Sequence, residues 1–183
     1  MKKTVIIYGL ISGAISSLMF VVTIPFQDKI GFDKGEIIGY TSIVLSFLLV
    51  FFGVRSYRDN VNGGQIAFSK AFRVGISITV ISCICYVVTW EIIYFNFVHD
   101  FMDKYGAYTV QKLQASGASA AAIQQQMEQL KKYKEWYENP FINAAMTFVE
   151  PFPIGLAMTL ISAGVLRKKA GSSSTQAAVP AAS

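Results

Sequence analysis

Four long apolar segments constrain the fold of this chain more than any other feature of its sequence. A helix that crosses a bilayer needs roughly 20 mostly apolar residues, because each residue rises about 1.5 Å through a hydrocarbon core about 30 Å thick. The segments are continuous apolar runs and lack the alternation of membrane β-strands. We therefore predict an all-α integral membrane protein, a four-helix bundle with spans at residues 4–26, 37–54, 71–97 and 141–166.

The composition agrees with a membrane protein. Apolar residues make up 53% of the chain and charged residues 15%, whereas a soluble domain has about 25% charged residues. Such a chain is unsuited to a water-soluble enzyme or to intrinsic disorder. Two Cys and one His are too few for a disulfide framework or a zinc cluster, so we expect no metal and no cofactor. We expect a membrane domain at residues 1–169 and a disordered, Ala- and Ser-rich tail at residues 170–183.

The basic residues predict the orientation, because Lys and Arg are enriched in cytoplasmic loops. The N-terminal end, the loop between the second and third spans and the C-terminal end together hold nine of the 16 basic residues. We therefore expect both termini in the cytoplasm. The net charge of +5 then reflects this bias and gives no reason to expect a nucleic-acid partner. The nine are Lys2, Lys3, Arg55, Arg58, Lys70, Arg73, Arg167, Lys168 and Lys169.

Residues 98–140 form an insert between the third and fourth spans. Aromatic residues recur at helical spacing from Phe97 to Tyr108, so we expect the third helix to continue beyond the membrane. Ser119 is suited to cap a second helix. That helix should end before Pro140, because the residue before proline disfavours helical geometry. The insert is therefore predicted to be an extracytoplasmic helical hairpin.

The second helix of this hairpin has an apolar face. The face either packs against the first hairpin helix or binds another protein. We expect the protein to be a non-enzymatic accessory or partner-binding protein that acts through the hairpin. Its partner would be another membrane or envelope protein, or a second copy of this chain. The predicted contact residues are Ile123, Met127, Leu130 and Tyr137.

Two carboxylates lie within the predicted spans, Glu91 in the third and Glu150 in the fourth. A charged group facing lipid costs at least ~2.5 kcal/mol, so such residues normally face the bundle interior. If adjacent antiparallel helices bring the two to one depth, they could share a proton or bind a cation. This is the alternative function, a homo-oligomeric small transporter or permeation subunit. A structural role beside Pro151 and Pro153 is the other interpretation.

The loop between the second and third spans is a candidate site for lipid headgroups. Its basic residues are Arg55, Arg58, Lys70 and Arg73, and anionic lipids attract such residues at the cytoplasmic surface. Topology alone would also explain these charges. No hydrolase motif is present, and a single His leaves no general base for a conventional triad. We therefore expect no enzymatic activity.

Three short motifs resemble the central region of a bacterial membrane family, domain of unknown function 4199. They are Phe-Phe-Gly-Val-Arg-Ser-Tyr-Arg-Asp at residues 51–59, Gly-Gly at 63–64 and Phe-Ser-Lys-Ala-Phe at 68–72. Residues 147–150 and 167–169 are similar to the C-terminal span of that family. The resemblance covers nearly the whole chain except the tail. It implies a four-helix inner-membrane protein with a helical insert before the last span, and it brings no known activity, substrate or catalytic residue.

Overall fold

The structure, a computed structural model, describes residues 1–168 and is built from eight α-helices joined by short turns. These residues contain no strand, so the predicted all-α fold is confirmed. The predicted disordered tail, residues 170–183, lies outside the described residues. The helices are α1 (Lys2–Thr23), α2 (Gln27–Ile30), α3 (Phe32–Asn60), α4 (Phe68–Phe97), α5 (Phe101–Ala115), α6 (Ala120–Glu138), α7 (Pro140–Val149) and α8 (Phe152–Leu166).

Four stretches of this chain are long and apolar enough to cross a membrane, as the sequence predicts. Large apolar side chains such as Leu18, Leu45 and Val165 are exposed on their outer faces, where lipid would cover them. The second stretch begins at Phe32 and not at residue 37, because the expected loop before it is mostly helical. Gly31 turns the chain between α2 and α3 with a φ of 77°, which favours glycine. The four stretches are Lys2–Ile30, Phe32–Asn60, Phe68–Phe97 and Pro140–Leu166.

The bundle is centred on α3 and α4, which both pack against α1 on one side and α8 on the other. Small residues allow this close packing. A Cβ atom at Gly155 would lie 2.4 Å from Thr79 Cγ2 and 2.8 Å from the Phe47 ring. Only glycine therefore fits there without movement of α8 away from its neighbours.

Buried hydroxyl groups connect the helices to one another. Ser12 Oγ in α1 donates to Ser46 O in α3 at 2.9 Å and lies 3.0 Å from Ser82 Oγ in α4. Thr79 Oγ1 in α4 lies 3.1 Å from Thr159 Oγ1 in α8. In the absence of a hydrophobic force between helices in lipid, such bonds and close packing hold a bundle together.

The third span does not continue into the insert, contrary to the expectation from the aromatic spacing. Helix α4 ends at Phe97, and Phe101 N donates to Val98 O at 2.9 Å in the turn that follows. The Trp90 and Phe101 ring centroids are 5.1 Å apart, whereas eleven residues of straight helix would separate them by about 16 Å. Helix α5 therefore folds back over the end of the bundle, and α5 and α6 pair as the predicted hairpin.

The fourth span is two helices rather than one continuous helix. Helix α7 ends at Val149 and α8 begins at Phe152. Pro151 and Pro153 lack the N–H groups that a continuous helix needs at these positions, so the break falls at Glu150. At the far end of α8, Lys168 N donates to Ile66 O at 2.9 Å and Ile66 N donates to Lys168 O at 3.1 Å. This bridge joins the end of α8 to the loop between α3 and α4.

Two polar side chains begin the helices that flank this region. Ser119 Oγ accepts a hydrogen bond from Ala122 N at 3.3 Å, which confirms the predicted cap of α6. Asn139 Oδ1 accepts one from Phe141 N at 3.0 Å and caps α7, with Pro140 at its first position. The hairpin therefore passes into the fourth span without an intervening loop.

Candidate functional site

The hairpin is held against the bundle by contacts between α5 and the start of α3. Lys112 Nζ lies 2.6 Å from Asp33 Oδ1, and this hydrogen bond raises the pKa of the Lys112 ammonium above its usual value. The Phe32 ring centroid lies 5.0 Å from that of Tyr108 and 5.5 Å from that of Tyr105. The aromatic face of α5 thus packs on this protein's own bundle.

A fully buried amide, Asn143, connects the hairpin to two spans. Its Oδ1 accepts hydrogen bonds from Trp90 Nε1 at 3.0 Å and from Thr147 Oγ1 at 3.2 Å. Its Nδ2 donates to Tyr137 O at 3.0 Å. The Tyr137 ring packs 5.8 Å from that of Tyr94, and burial raises the pKa of Tyr137 to about 12. Helices α4, α6 and α7 therefore meet at one satisfied polar group.

A cavity of about 640 Å³ lies between the hairpin and the bundle. Helices α1 to α7 all contribute to its walls. Aromatic residues are the largest group in the walls, and neighbouring rings are in contact. The centroid of Phe20 is 4.7 Å from that of Tyr86 and 5.1 Å from that of Trp90, which in turn contacts Phe101. The hairpin aromatics thus complete a wall that begins within the bundle.

The charged residues of the cavity are Asp33, Glu36, Glu150 and Lys112. Lys112 is already bound to Asp33. Tyr86 Oη donates to Glu150 Oε2 at 3.2 Å. Glu150 lies in the break between α7 and α8 and lines the cavity there. Neither Glu36 nor Glu150 forms an ion pair with another residue of the described chain. The cavity therefore carries two carboxylates without a basic partner.

The model of a family described as protein of unknown function (DUF4199) matches residues 7–168 of the chain. The chain belongs to this family. The match confirms the resemblance found in the sequence motifs and includes both the hairpin and the cavity. No curated protein and no solved structure matches the chain.

The two membrane carboxylates of this DUF4199 protein lie in different surroundings. Glu150 lines the cavity, but Glu91 does not. Glu91 Oε1 is buried and has no hydrogen-bond partner among the described residues. Within the described residues, the acids that share the cavity with Glu150 are Asp33 and Glu36, which both lie on α3. The sequence could not distinguish these cases, because both glutamates interrupt apolar segments in the same way.

The predicted partner-binding face of α6 is partly buried and partly exposed in this DUF4199 protein. Leu130 is 8% exposed and packs inside the structure, and Tyr137 packs against the core. Met127 is 53% exposed, and Ile123 is half-buried. Only part of this face is therefore open to another molecule.

The predicted headgroup residues lie at the opposite end of the bundle from the hairpin. Arg58 Nε and Arg55 Nε lie 2.7 and 3.7 Å from the two carboxylate oxygens of Asp59. Lys70 Nζ donates to an asparagine side chain of the preceding turn at 2.6 Å, and Arg73 is exposed. Three of the four basic side chains thus contact the protein itself.

Asn143 and the aromatic residues of the cavity are the features that sequence reasoning missed. The available indication was weak, since an Asn four residues before a Thr within an apolar segment is only a small interruption of hydropathy. In a membrane span such polar residues commonly bond to a neighbouring helix. A search for polar residues with helical spacing in the fourth segment would have marked Asn143 and Thr147.

Proposed function

We propose that this DUF4199 protein is a non-enzymatic accessory membrane protein that binds a small amphiphilic molecule between its hairpin and its bundle. The cavity carries this proposal. Ligand sites typically have volumes of about 300–1,000 Å³ and combine apolar and aromatic walls with a few polar groups. The cavity of about 640 Å³ has this size and these walls. A non-enzymatic role is consistent with the single His of the chain.

The proposed location is the bacterial inner membrane, with both termini in the cytoplasm and the cavity toward the extracytoplasmic side. The basis is the charge distribution. Basic residues gather near the termini, whereas the hairpin end carries acids such as Asp33 and Glu36. In intact cells, an impermeant thiol reagent should label an Ala115→Cys variant and not a Val61→Cys variant. The unaltered chain measures the background labelling of Cys83 and Cys85. If only the Val61→Cys variant is labelled, the orientation is the reverse of the one proposed.

Ligand binding can be measured through Trp90, which lines the cavity. A Trp136→Phe variant leaves Trp90 as the remaining tryptophan, because the chain has two. The protein would be placed in lipid nanodiscs and titrated with brominated single-chain amphiphiles that carry neutral, cationic or anionic headgroups. Bromine quenches tryptophan emission on contact, so a cavity ligand should quench Trp90 with saturation.

A matched pair of glycine substitutions separates cavity binding from general partition into lipid. Gly35 lines the cavity, and a Cβ there would meet only the end of the Gln27 side chain at 3.6 Å. A Gly35→Phe side chain should therefore occupy the site and weaken quenching by at least tenfold in concentration. Gly164 on α8 has nothing within 4 Å of its Cβ position, so Gly164→Phe should leave quenching unchanged. The proposal fails if the two variants behave alike with every amphiphile.

A further inference from the structure

We propose that the molecule bound in this cavity is an amphiphile with an organic ammonium group and no phosphate. The inference rests on the proposed function, since it identifies the ligand class of the same cavity. It is carried by the charges and aromatic rings that the helices bring together there. Glu150 and Glu36 would bind the ammonium group, and the aromatic and methionine side chains would surround the hydrocarbon chain.

The charge balance of the cavity favours a cation. Of its three carboxylates, Asp33 is bound to Lys112 at 2.6 Å. Glu36 and Glu150 have no ion-pair partner among the described residues. Both side chains are exposed, so each can reach a ligand, and a carboxylate attracts a nearby positive charge. One ammonium group would supply the charge that this part of the chain does not provide.

The aromatic walls favour an organic cation over a small metal ion. An ammonium group within about 6 Å of an aromatic ring centroid is attracted by the ring's negative face. Tyr86 donates a hydrogen bond to Glu150 at 3.2 Å, and its ring lies 4.7 Å from that of Phe20. The ring of Trp90 adjoins Phe20 at 5.1 Å. A quaternary or protonated amine near Glu150 would thus meet a carboxylate and several ring faces together.

The remaining lining suits an alkyl chain. Met19, Ile24, Met102 and Met146 line the cavity along with the aromatic rings. Methionine side chains adapt to ligands of variable shape because they are unbranched and polarizable. An amphiphile could therefore place its headgroup beside Glu150 and its chain against these residues. No polar group of the ligand would then lie in apolar surroundings.

A phosphate-bearing headgroup does not fit the same charges. Lys112 is the basic residue among those that line the cavity, and Asp33 already binds it. A phosphate would therefore find no available basic partner in the described walls, and Glu36 and Glu150 would repel it. This argues for a simple ammonium amphiphile over phosphatidylcholine or phosphatidylethanolamine, although those lipids also carry an ammonium group.

The test uses the full chain with Trp90 as reporter, in nanodiscs of phosphatidylcholine. Three brominated amphiphiles of equal chain length would be compared, with trimethylammonium, phosphocholine and maltoside headgroups. The trimethylammonium compound should bind at least tenfold more tightly than the other two. The nanodisc lipid itself carries a phosphocholine headgroup and is in large excess. A site that accepts phosphocholine would therefore already be filled by this lipid.

Carboxylate variants identify the charge that is responsible. Glu150→Gln should weaken trimethylammonium binding by about tenfold, equivalent to about 1.4 kcal/mol, and change maltoside binding by less than about twofold. Glu36→Gln, at an exposed position, should have a similar but smaller effect and provides the test if Glu150→Gln does not fold. Glu91→Gln is the matched control, because Glu91 is a membrane carboxylate that does not line the cavity. It should change neither affinity.

The results separate this inference from the proposed function. If phosphocholine or maltoside binds as tightly as trimethylammonium, or if neither cavity-carboxylate variant changes ammonium binding, the ammonium inference is overturned. Provided that Gly35→Phe still blocks those compounds, the cavity remains a binding site. If Gly35→Phe and Gly164→Phe behave alike for all three compounds, both the inference and the proposed function are wrong.

Discussion

Replacement of Asn143 by Leu should substantially destabilise the junction between the hairpin and the bundle. Leu has nearly the shape of Asn, so the change removes the amide without leaving a large void. Asn143 is 0% exposed and bonds to Trp90 at 3.0 Å, to Tyr137 O at 3.0 Å and to Thr147 at 3.2 Å. The Leu variant would leave the Trp90 N–H and the Tyr137 carbonyl without their partners.

The size of the effect follows from these two groups. An unsatisfied buried donor or acceptor costs about 1–3 kcal/mol, although interhelical hydrogen bonds measured in a membrane protein average about 0.6 kcal/mol. The Thr147 hydroxyl can turn toward its own helix backbone, so we assign it little cost. Two groups at the lower end of the first range give a loss of about 2–3 kcal/mol in the free energy of unfolding.

The assay is pulse proteolysis across an SDS titration in mixed micelles, which reports the fraction of unfolded protein. Asn96→Leu is the matched control. Asn96 is exposed and donates only within its own helix, to Ile92 O at 2.8 Å, so we expect a change below about 0.5 kcal/mol. A double-mutant cycle with Trp90→Phe should give a coupling energy of about 1 kcal/mol. Equal stability of the Asn143→Leu and Asn96→Leu variants would refute the reasoning.

Three further predictions concern packing, the second membrane carboxylate and the hairpin. Gly155→Ala should lower the free energy of unfolding by about 1–3 kcal/mol in the same titration, because its Cβ would collide with α4, while Gly164→Ala should not. Glu91→Leu should retain or increase stability, since it removes a carboxylate with a buried, unbonded oxygen, and a clear loss of stability would show that Glu91 has a partner. In an Asp33→Cys, Lys112→Cys variant, a short thiol cross-linker should join α3 to α5, as detected by mass spectrometry of the digested protein. Absence of that cross-link would mean that the hairpin does not rest on the bundle.

The sequence predicts the four spans because bilayer thickness imposes a length and a composition that few other structures share. It also predicts the cap of the second hairpin helix, since Ser119 acts through its own neighbouring backbone. The turn after Phe97 escapes prediction, because residues 98–100 contain no Gly or Pro and the aromatic spacing continues on both sides of them.

The candidate site is less predictable than the spans. Glu150 can be selected from sequence because an acid within an apolar segment is unusual, but Glu91 satisfies the same criterion and does not line the cavity. Which of the two faces a cavity depends on helix rotation, and on a break that places Glu150 at the end of α7. The cavity itself is formed by seven helices that span most of the sequence, so no local sequence pattern predicts it.

Helix α8 connects the cavity to the opposite end of the bundle. Its 15 residues make a rod about 22 Å long. One end of the rod lies at the proline break beside the cavity, and the other end is attached through the Ile66–Lys168 backbone bridge. The rod packs against α3 and α4 between these ends, so a shift at the cavity end would be transmitted along its axis to the far end. Because backbone groups form the attachment, the loop between α3 and α4 would move with it, whatever residues other than proline occupy these two positions.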